Sequence, residues 1–259
     1  MTRKYGMLAA TACVVAVLGV TGCGSEDGDG KKAAPKNELA DLSAQQISDK
    51  AKDALLKATS LRMKMDQGSG AQALRMNIAL DNKGNCNGTV GVSQGASSEL
   101  IKAGDKVWMK PNEQFWKQPD VAGDKDGAAA AELFKGRYIY GTTSDEMLKA
   151  NADMCDLSAM QASMKSDDAS EKKLTKGAPI TLGGQLIVPL SGPGEASGET
   201  QTIYVAATGT PYPLKIVTKG GSEPGTVELS EYEKPVSTTP PPKDQVIDVA
   251  KLEEQFAAK

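Results

Sequence analysis

Leu61-Arg-Met-Lys-Met-Asp66 and Ala73-Leu-Arg-Met-Asn-Ile-Ala-Leu80 are the stretches whose reading decides the fold. In the first, Leu61, Met63 and Met65 alternate with Arg62, Lys64 and Asp66. In the second, Leu74, Met76, Ile78 and Leu80 alternate with Ala73, Arg75, Asn77 and Ala79. A period of two puts each apolar set on one face of an extended chain. The link between them, Gln67-Gly-Ser-Gly70, suits a turn. Two antiparallel strands with one apolar face are therefore expected.

The same pattern continues downstream. Asp81-Asn-Lys-Gly84 turns the chain into a third strand, Cys86 to Val92. Ser98 to Ala103 and Lys106 to Lys110 flank Gly104-Asp105, a two-residue hairpin loop. These five strands form a meander. Strands return at Lys172–Lys176, Gln185–Leu190, Thr202–Ala207, Leu214–Thr218 and Thr226–Tyr232, with Gly209-Thr-Pro211 as another turn. Between the two groups lies an insert, Pro111 to Thr143, holding Trp116 and a short helix from Gly127 to Lys135. Arg137-Tyr-Ile-Tyr140 reads as an apolar patch. Ser144 or Asp145 caps a second helix to about Met154, and one further helical turn follows Asp156. Ser191 to Glu199 is a Gly/Ser-rich excursion, Thr238 to Pro242 a Pro-rich exit, and Val246 to Phe256 a closing segment. About ten strands with segregated helices make an α+β chain, whose antiparallel sheet must curl around the helices that cover its apolar face.

Upstream, Ser43-Ala-Gln-Gln46 has the form of a capping box. Behind it Ile47, Ala51, Ala54, Leu55, Ala58 and Leu61 recur at helical spacing. Residues 23–42 read as a lipidated Cys and a flexible tether of Gly, Ser, Asp, Glu, Lys and Ala, and 43–259 as a single domain. Met1 to Cys23 opens with Arg3 and Lys4 and runs uncharged from Met7 to Val20. A basic start, a short apolar run and a small-residue exit make residues 1–22 a signal peptide. The run is too short to span a bilayer, which takes roughly 20 residues. The exit, Val20-Thr-Gly-Cys23, resembles the bacterial lipobox, which implies acylation of Cys23, with palmitate among the acyl chains. Several acyl chains make a durable anchor, where one is marginal. The expected location is the extracytoplasmic face of the cell membrane, held there through Cys23.

Composition narrows the chemistry. Of 259 residues none is His, which removes the commonest general base and the commonest transition-metal ligand. The net charge is −3, with no basic patch, so nucleic acid is not an expected partner. Of four Cys, Cys13 lies in the signal and Cys23 at its exit. Cys86 and Cys155 remain, and a pair in an exported protein reads as a disulfide. Two free thiols or a metal pair are the rival readings, but no His and no third Cys accompanies them. Ten Met against three Phe is unusual. Met fills irregular space and recurs on surfaces that accept varied apolar ligands, although it also serves as plain core. Copper(I) on Met63-x-Met65 lacks any supporting cluster.

Three motifs carry no chemistry here. Gly91-Val-Ser93-Gln-Gly95 matches G-x-S-x-G but has no His to serve it and sits in a meander. Ser170-x-x-Lys173 lacks the companion motifs of Ser-Lys enzymes. Asp124-x-Asp126-Gly127 places Ala122 and Leu133 where a calcium loop needs ligands. No enzyme activity, cofactor or metal is expected.

The order of lipobox, tether, helix Ile47-Ser-Asp-Lys-Ala-Lys-Asp-Ala-Leu-Leu-Lys-Ala-Thr-Ser60 and meander resembles the LppX/LprG-type lipoproteins of actinobacteria, which share the LolA/LolB-like fold. The meander's Ala103-Gly-Asp-Lys-Val-Trp-Met-Lys110, the hairpin Ile203-Tyr-Val-Ala-Ala-Thr-Gly-Thr-Pro-Tyr-Pro-Leu-Lys215 and the tail Pro241-Pro-Lys-Asp-Gln-Val-Ile-Asp248 carry the likeness, over roughly residues 43–250. It implies a curved antiparallel half-barrel closed on its concave face by helices, with acyl chains of a lipid or glycolipid held between. On that expectation the lining candidates are Leu61, Met63, Met65, Leu74, Met76, Ile78, Val107 and Met109. Trp116, Phe134 and Tyr138 then guard a mouth or cap the core. The reading from another class is a surface lipoprotein with a filled core that meets an envelope protein partner. The Met-rich interior and the 191–200 excursion depart from the family pattern.

Overall fold

The computed structural model describes residues 36–70, 73–92, 94–118, 131–166, 173–194 and 196–251. The expected signal, Cys23, Ser93, Asp124, Asp126, Ser170 and Phe256 lie outside the described residues. The chain runs α1 (Ala44–Lys57), β1 (Ser60–Gln67), β2 (Leu74–Asp81), β3 (Cys86–Val92), β4 (Ser97–Ala103), β5 (Lys106–Pro111) and one tight turn at Phe115–Lys117. Then follow β6 (Tyr138–Thr142), α2 (Glu146–Asp153), α3 (Leu157–Ser166), β7 (Thr175–Lys176), β8 (Ile180–Leu182), β9 (Gln185–Pro193), β10 (Thr200–Ala206), β11 (Pro213–Lys219), β12 (Gly225–Ser230) and β13 (Val246–Asp248).

All thirteen strands among the described residues join one curved, unclosed sheet in the order β13-β6-β5-β4-β3-β2-β1-β12-β11-β10-β9-β7, with β8 beside β9. Pairing is antiparallel except where β13 lies parallel to β6. The expected count of about ten is short by β6, β8 and β13. The last two hold three residues each, too few to display a period. The excursion expected from Ser191 is in part sheet, because β9 continues to Pro193 and Ser191 faces Thr202.

Register explains why the alternation in β1 and β2 is decisive. Leu229, Met63, Ile78, Gly88, Leu100, Met109 and Ile139 are cross-strand partners in one row over seven strands. All but Gly88 bring an apolar side chain. The next row, Glu228, Lys64, Asn77, Thr89, Glu99 and Lys110, is polar and faces outward. A slip of one residue would exchange the two rows, so burial of one face fixes the pairing. Gly88 admits no substitute: a Cβ there would stand 2.1 Å from the Asn77 carbonyl oxygen.

The helices pack on the apolar face. Leu148 and Ala152 of α2, Leu157 of α3 and Leu55 of α1 join one core with Leu61, Ile78, Leu100, Met109 and Ile139. A second core gathers Ile47 and Ala51 of α1 with Val188, Leu190, Val205 and Ala207. α1 thus spans both. Its capping box forms as read: Ser43 Oγ accepts from Gln46 N at 3.2 Å, and Gln46 Oε1 accepts from Ser43 N at 2.9 Å. At the other end Gln161 of α3 donates to the carbonyls of Leu55 and Ala58, both at 2.9 Å, giving the buried last turn its partners. α3 has ten residues where a single turn was expected.

Two further ties position the ends. Glu38 N donates to Ala207 C=O at 2.8 Å, and Leu39 is buried in the second core. The body therefore begins near residue 38, inside the stretch read as tether. After β12 the chain crosses the outer face, where Asn87 Nδ2 donates to Ser237 C=O, and adds β13 at the far edge.

Candidate functional site

Six of the eight lining candidates meet in the first core: Leu61, Met63, Met76, Ile78, Val107 and Met109. Met65 is half-buried at its margin, and Leu74 is half-buried on β2 outside it. Leu61, Ile78, Val107 and Met109 are each less than 2% exposed, packed against one another and against the helices. Met63, Met65 and Met76 face each other across β1 and β2, or across one step of that ladder. Cys86 and Cys155 are joined by a disulfide, with Cα atoms 5.3 Å apart and a sequence separation of 69. It ties the end of α2 to β3. Both sulfurs are fully buried in the same core.

A groove of about 940 Å³ opens elsewhere, at the rim where β4 begins and β5 ends. Pro111, Trp116 and Ala131 line it with Ser97, Asn112 and Gly136. Glu99, Lys110, Glu113, Lys117, Glu132 and Lys135 give it charged walls of mixed sign. None of the eight candidates lines this groove. Trp116 forms its inner end. The indole stacks on Phe134 at 5.8 Å and 8°, and meets Phe115 edge-on at 5.3 Å. Trp116, Leu133 and Phe134 pack against the first core, so the stack separates groove from interior. Among the described residues the buried Trp116 Nε1 has no hydrogen-bond partner. Of the two residues read as mouth or cap, Trp116 lines the groove and packs against the core, while Phe134 belongs to the core. The groove itself was not legible, because Pro111, Ala131 and the rim charges come from separate segments.

Tyr138, the third mouth candidate, is turned outward. Its hydroxyl donates to Glu99 Oε2 at 2.6 Å, and Lys110 Nζ lies 2.6 Å from Glu99 Oε1 and 4.7 Å above the Tyr138 ring. Burial opposes the charge on Glu99, but the Lys110 ammonium and the Tyr138 hydroxyl together outweigh it and hold the carboxyl below its usual range. The Glu99 carboxylate raises Lys110, and burial followed by that carboxylate raises Tyr138. Every member thus keeps its ordinary state at neutral pH, and none is poised to move a proton there. Just past β12 Tyr232 packs against the first core, Tyr212 stacks on it at 3.9 Å, and burial pushes the Tyr232 hydroxyl well up. Among the described residues no three His, Cys, Asp or Glu converge as metal ligands, and no helix is long and apolar enough to cross a membrane.

No protein-family model matches the chain, and no curated protein matches it. Solved structures do. The lipoprotein LppX of Mycobacterium tuberculosis is 14% identical, with 77% of this chain and 100% of that one covered and a TM-score of 0.46. LprF of Mycobacterium bovis is 14% identical over 80% and 98%, with a TM-score of 0.49. A LolA superfamily protein of Nitrosomonas europaea is 11% identical over 77% and 96%, with a TM-score of 0.27. The solved structures to which this chain is similar thus include mycobacterial lipoproteins of the LppX kind and LolA-superfamily proteins, the group its sequence resembles.

Proposed function

We propose that the chain is a membrane-anchored extracytoplasmic lipoprotein that binds or carries a lipid or other hydrophobic ligand. The observation that carries the reading is the groove at the sheet rim, with Trp116, Pro111 and Ala131 inside and a rim of charges of both signs. An amphipathic molecule fits such a place. Its acyl chain lies against the Trp116–Phe134 stack, gaining about 25 cal/mol for each Å² withdrawn from water, while its head group meets the rim. The ligand-lining role read for Leu61, Met76, Ile78 and the others becomes a supporting one: they form the packed floor behind the stack. The lipobox-like exit at Cys23 supports the anchor.

Native mass spectrometry on residues 24–259, exported and purified without detergent, tests this. We expect a co-purifying mass that extracts as lipid. Ala131→Trp, which fills the groove without entering the core, should abolish it. A protein that stays bare after incubation with envelope lipids sinks the carrier reading. It would favour the second one, a surface lipoprotein acting through protein–protein contacts. The close packing of Leu61, Ile78, Val107 and Met109 is what supports that alternative.

A further inference from the structure

Residues 177–194 contain no charged side chain. They hold β8, the turn Gly183-Gly184 and β9, at the edge of the sheet. Edges usually carry charges that discourage association. Here Ile180 and Leu182, both on one face of β8, are each 44% exposed, and they are the large apolar side chains that stand in solvent among the described residues. The hairpin is also where the chain enters the fold. Glu38 N donates to Ala207 C=O, Ala207 N donates to Leu186 C=O at 2.9 Å, and Leu186 is the ladder partner of Thr181. Three ladder steps of about 4.8 Å therefore separate the entry point from β8. The entry is clamped: Lys176 Nζ donates to the carbonyls of Leu39, Ala40 and Leu42 at 3.0, 2.6 and 2.9 Å. Thirteen residues lead from Cys23 to Lys36, which at about 3.5 Å each reach no further than about 45 Å.

We propose that the β8–β9 hairpin is the surface by which the body rests on the bilayer, with Ile180 and Leu182 entering the interface beside the clamped N-terminal entry. The proposal rests on the anchor at Cys23 proposed above. The anchor brings this edge to the membrane, and the uncharged hairpin with two apolar side chains suits the head-group boundary. The clamp at Lys176 favours this orientation, because it holds the chain's entry against the same sheet edge. The groove at the β4–β5 end lies across the sheet, with seven strands between β5 and β9.

The full chain, made in a bacterium that acylates lipoproteins, is reconstituted in vesicles of equal parts phosphatidylcholine and phosphatidylglycerol. Leu182→Cys, or Ile180→Cys as an independent second site, carries an environment-sensitive fluorophore, and Asp105→Cys in the β4–β5 turn is the control. Mass spectrometry of the N-terminal peptide reads the state of Cys23. We expect acylated Cys23, with the labels at 182 and 180 blue-shifted and strongly quenched by nitroxide lipids while the 105 label is not. An acylated Cys23 with equal, weak quenching at all positions overturns the bilayer contact and leaves the anchor standing. An unmodified Cys23 overturns the anchor and this contact with it. A blue shift at 182 without nitroxide quenching overturns the contact in favour of a second protein copy on that edge.

Discussion

At the scale of single residues, the outer polar row holds the most informative group. Glu99 is held below the ordinary carboxylate range by Lys110 and Tyr138 against the opposing effect of burial. A lowered folded value means that the contribution is present above the unfolded Glu value and is lost as pH falls through the folded one. Lys110 has the opposite sign: raised, it contributes below the unfolded Lys value and loses that contribution as pH rises through the folded one. Both are in force at neutral pH. Glu99 is about half exposed, so screening limits the effect to about 1 kcal/mol or less. Glu99→Gln should therefore lower stability modestly at pH 7, and the deficit should fade in acid below the lowered Glu99 value. Urea unfolding at a series of pH values measures this, and a deficit that persists in acid would assign the loss to packing. The polar row was legible from the alternation of β4 and β5. The pairing of Tyr138 with Glu99 was not, since it depends on β6, a strand inside the stretch read as an insert, lying beside β5.

At the scale of elements, the entry turn shows how a tether becomes part of a fold. Lys176 gives one ammonium to three carbonyls that precede α1, and Leu39 sits in the core beneath them. Lys176→Met keeps the stem and removes the donor, so it strands those carbonyls. Hydrogen exchange should speed at the amides of Glu38 and Leu42, while α1, held by its Ser43 box and by Gln161, should exchange as before. Unchanged exchange at 38–42 would mean that Leu39 alone holds the turn. The sequence shows the box and the helix because both are local. It hides the clamp because Lys176 lies 134 residues or more from its partners.

At the scale of the whole molecule, the disulfide decides how firmly helices and sheet are joined. Closing a loop with a separation of 69 residues is worth about 4 kcal/mol in the chain-entropy account. Replacing Cys86 and Cys155 together by Ala should lower stability by about 2–4 kcal/mol, shown as a melting temperature lower by roughly 10 °C for a chain of this size. A shift of only a degree or two would mean that packing of α2 and α3 on the sheet suffices alone. The meander β1 to β5 was readable because each strand meets its sequence neighbour across a short turn. The pairing of β1 with β12, on which the single sheet depends, joins residues more than 150 positions apart, and no local pattern encodes it.

The sequence by itself determined the alternation that makes one face apolar, the capped first helix, the pairing candidates Cys86 and Cys155 and the absence of His chemistry. Each of these is a property of residue type and short-range spacing. Only the tertiary structure decided that the Met-rich candidates form a packed floor, that a groove opens at the Trp116 rim, and that the uncharged hairpin stands beside the N-terminal entry. Those outcomes depend on the closest packing of side chains from distant segments, and that competition for space is settled only once the sheet has curled around its helices.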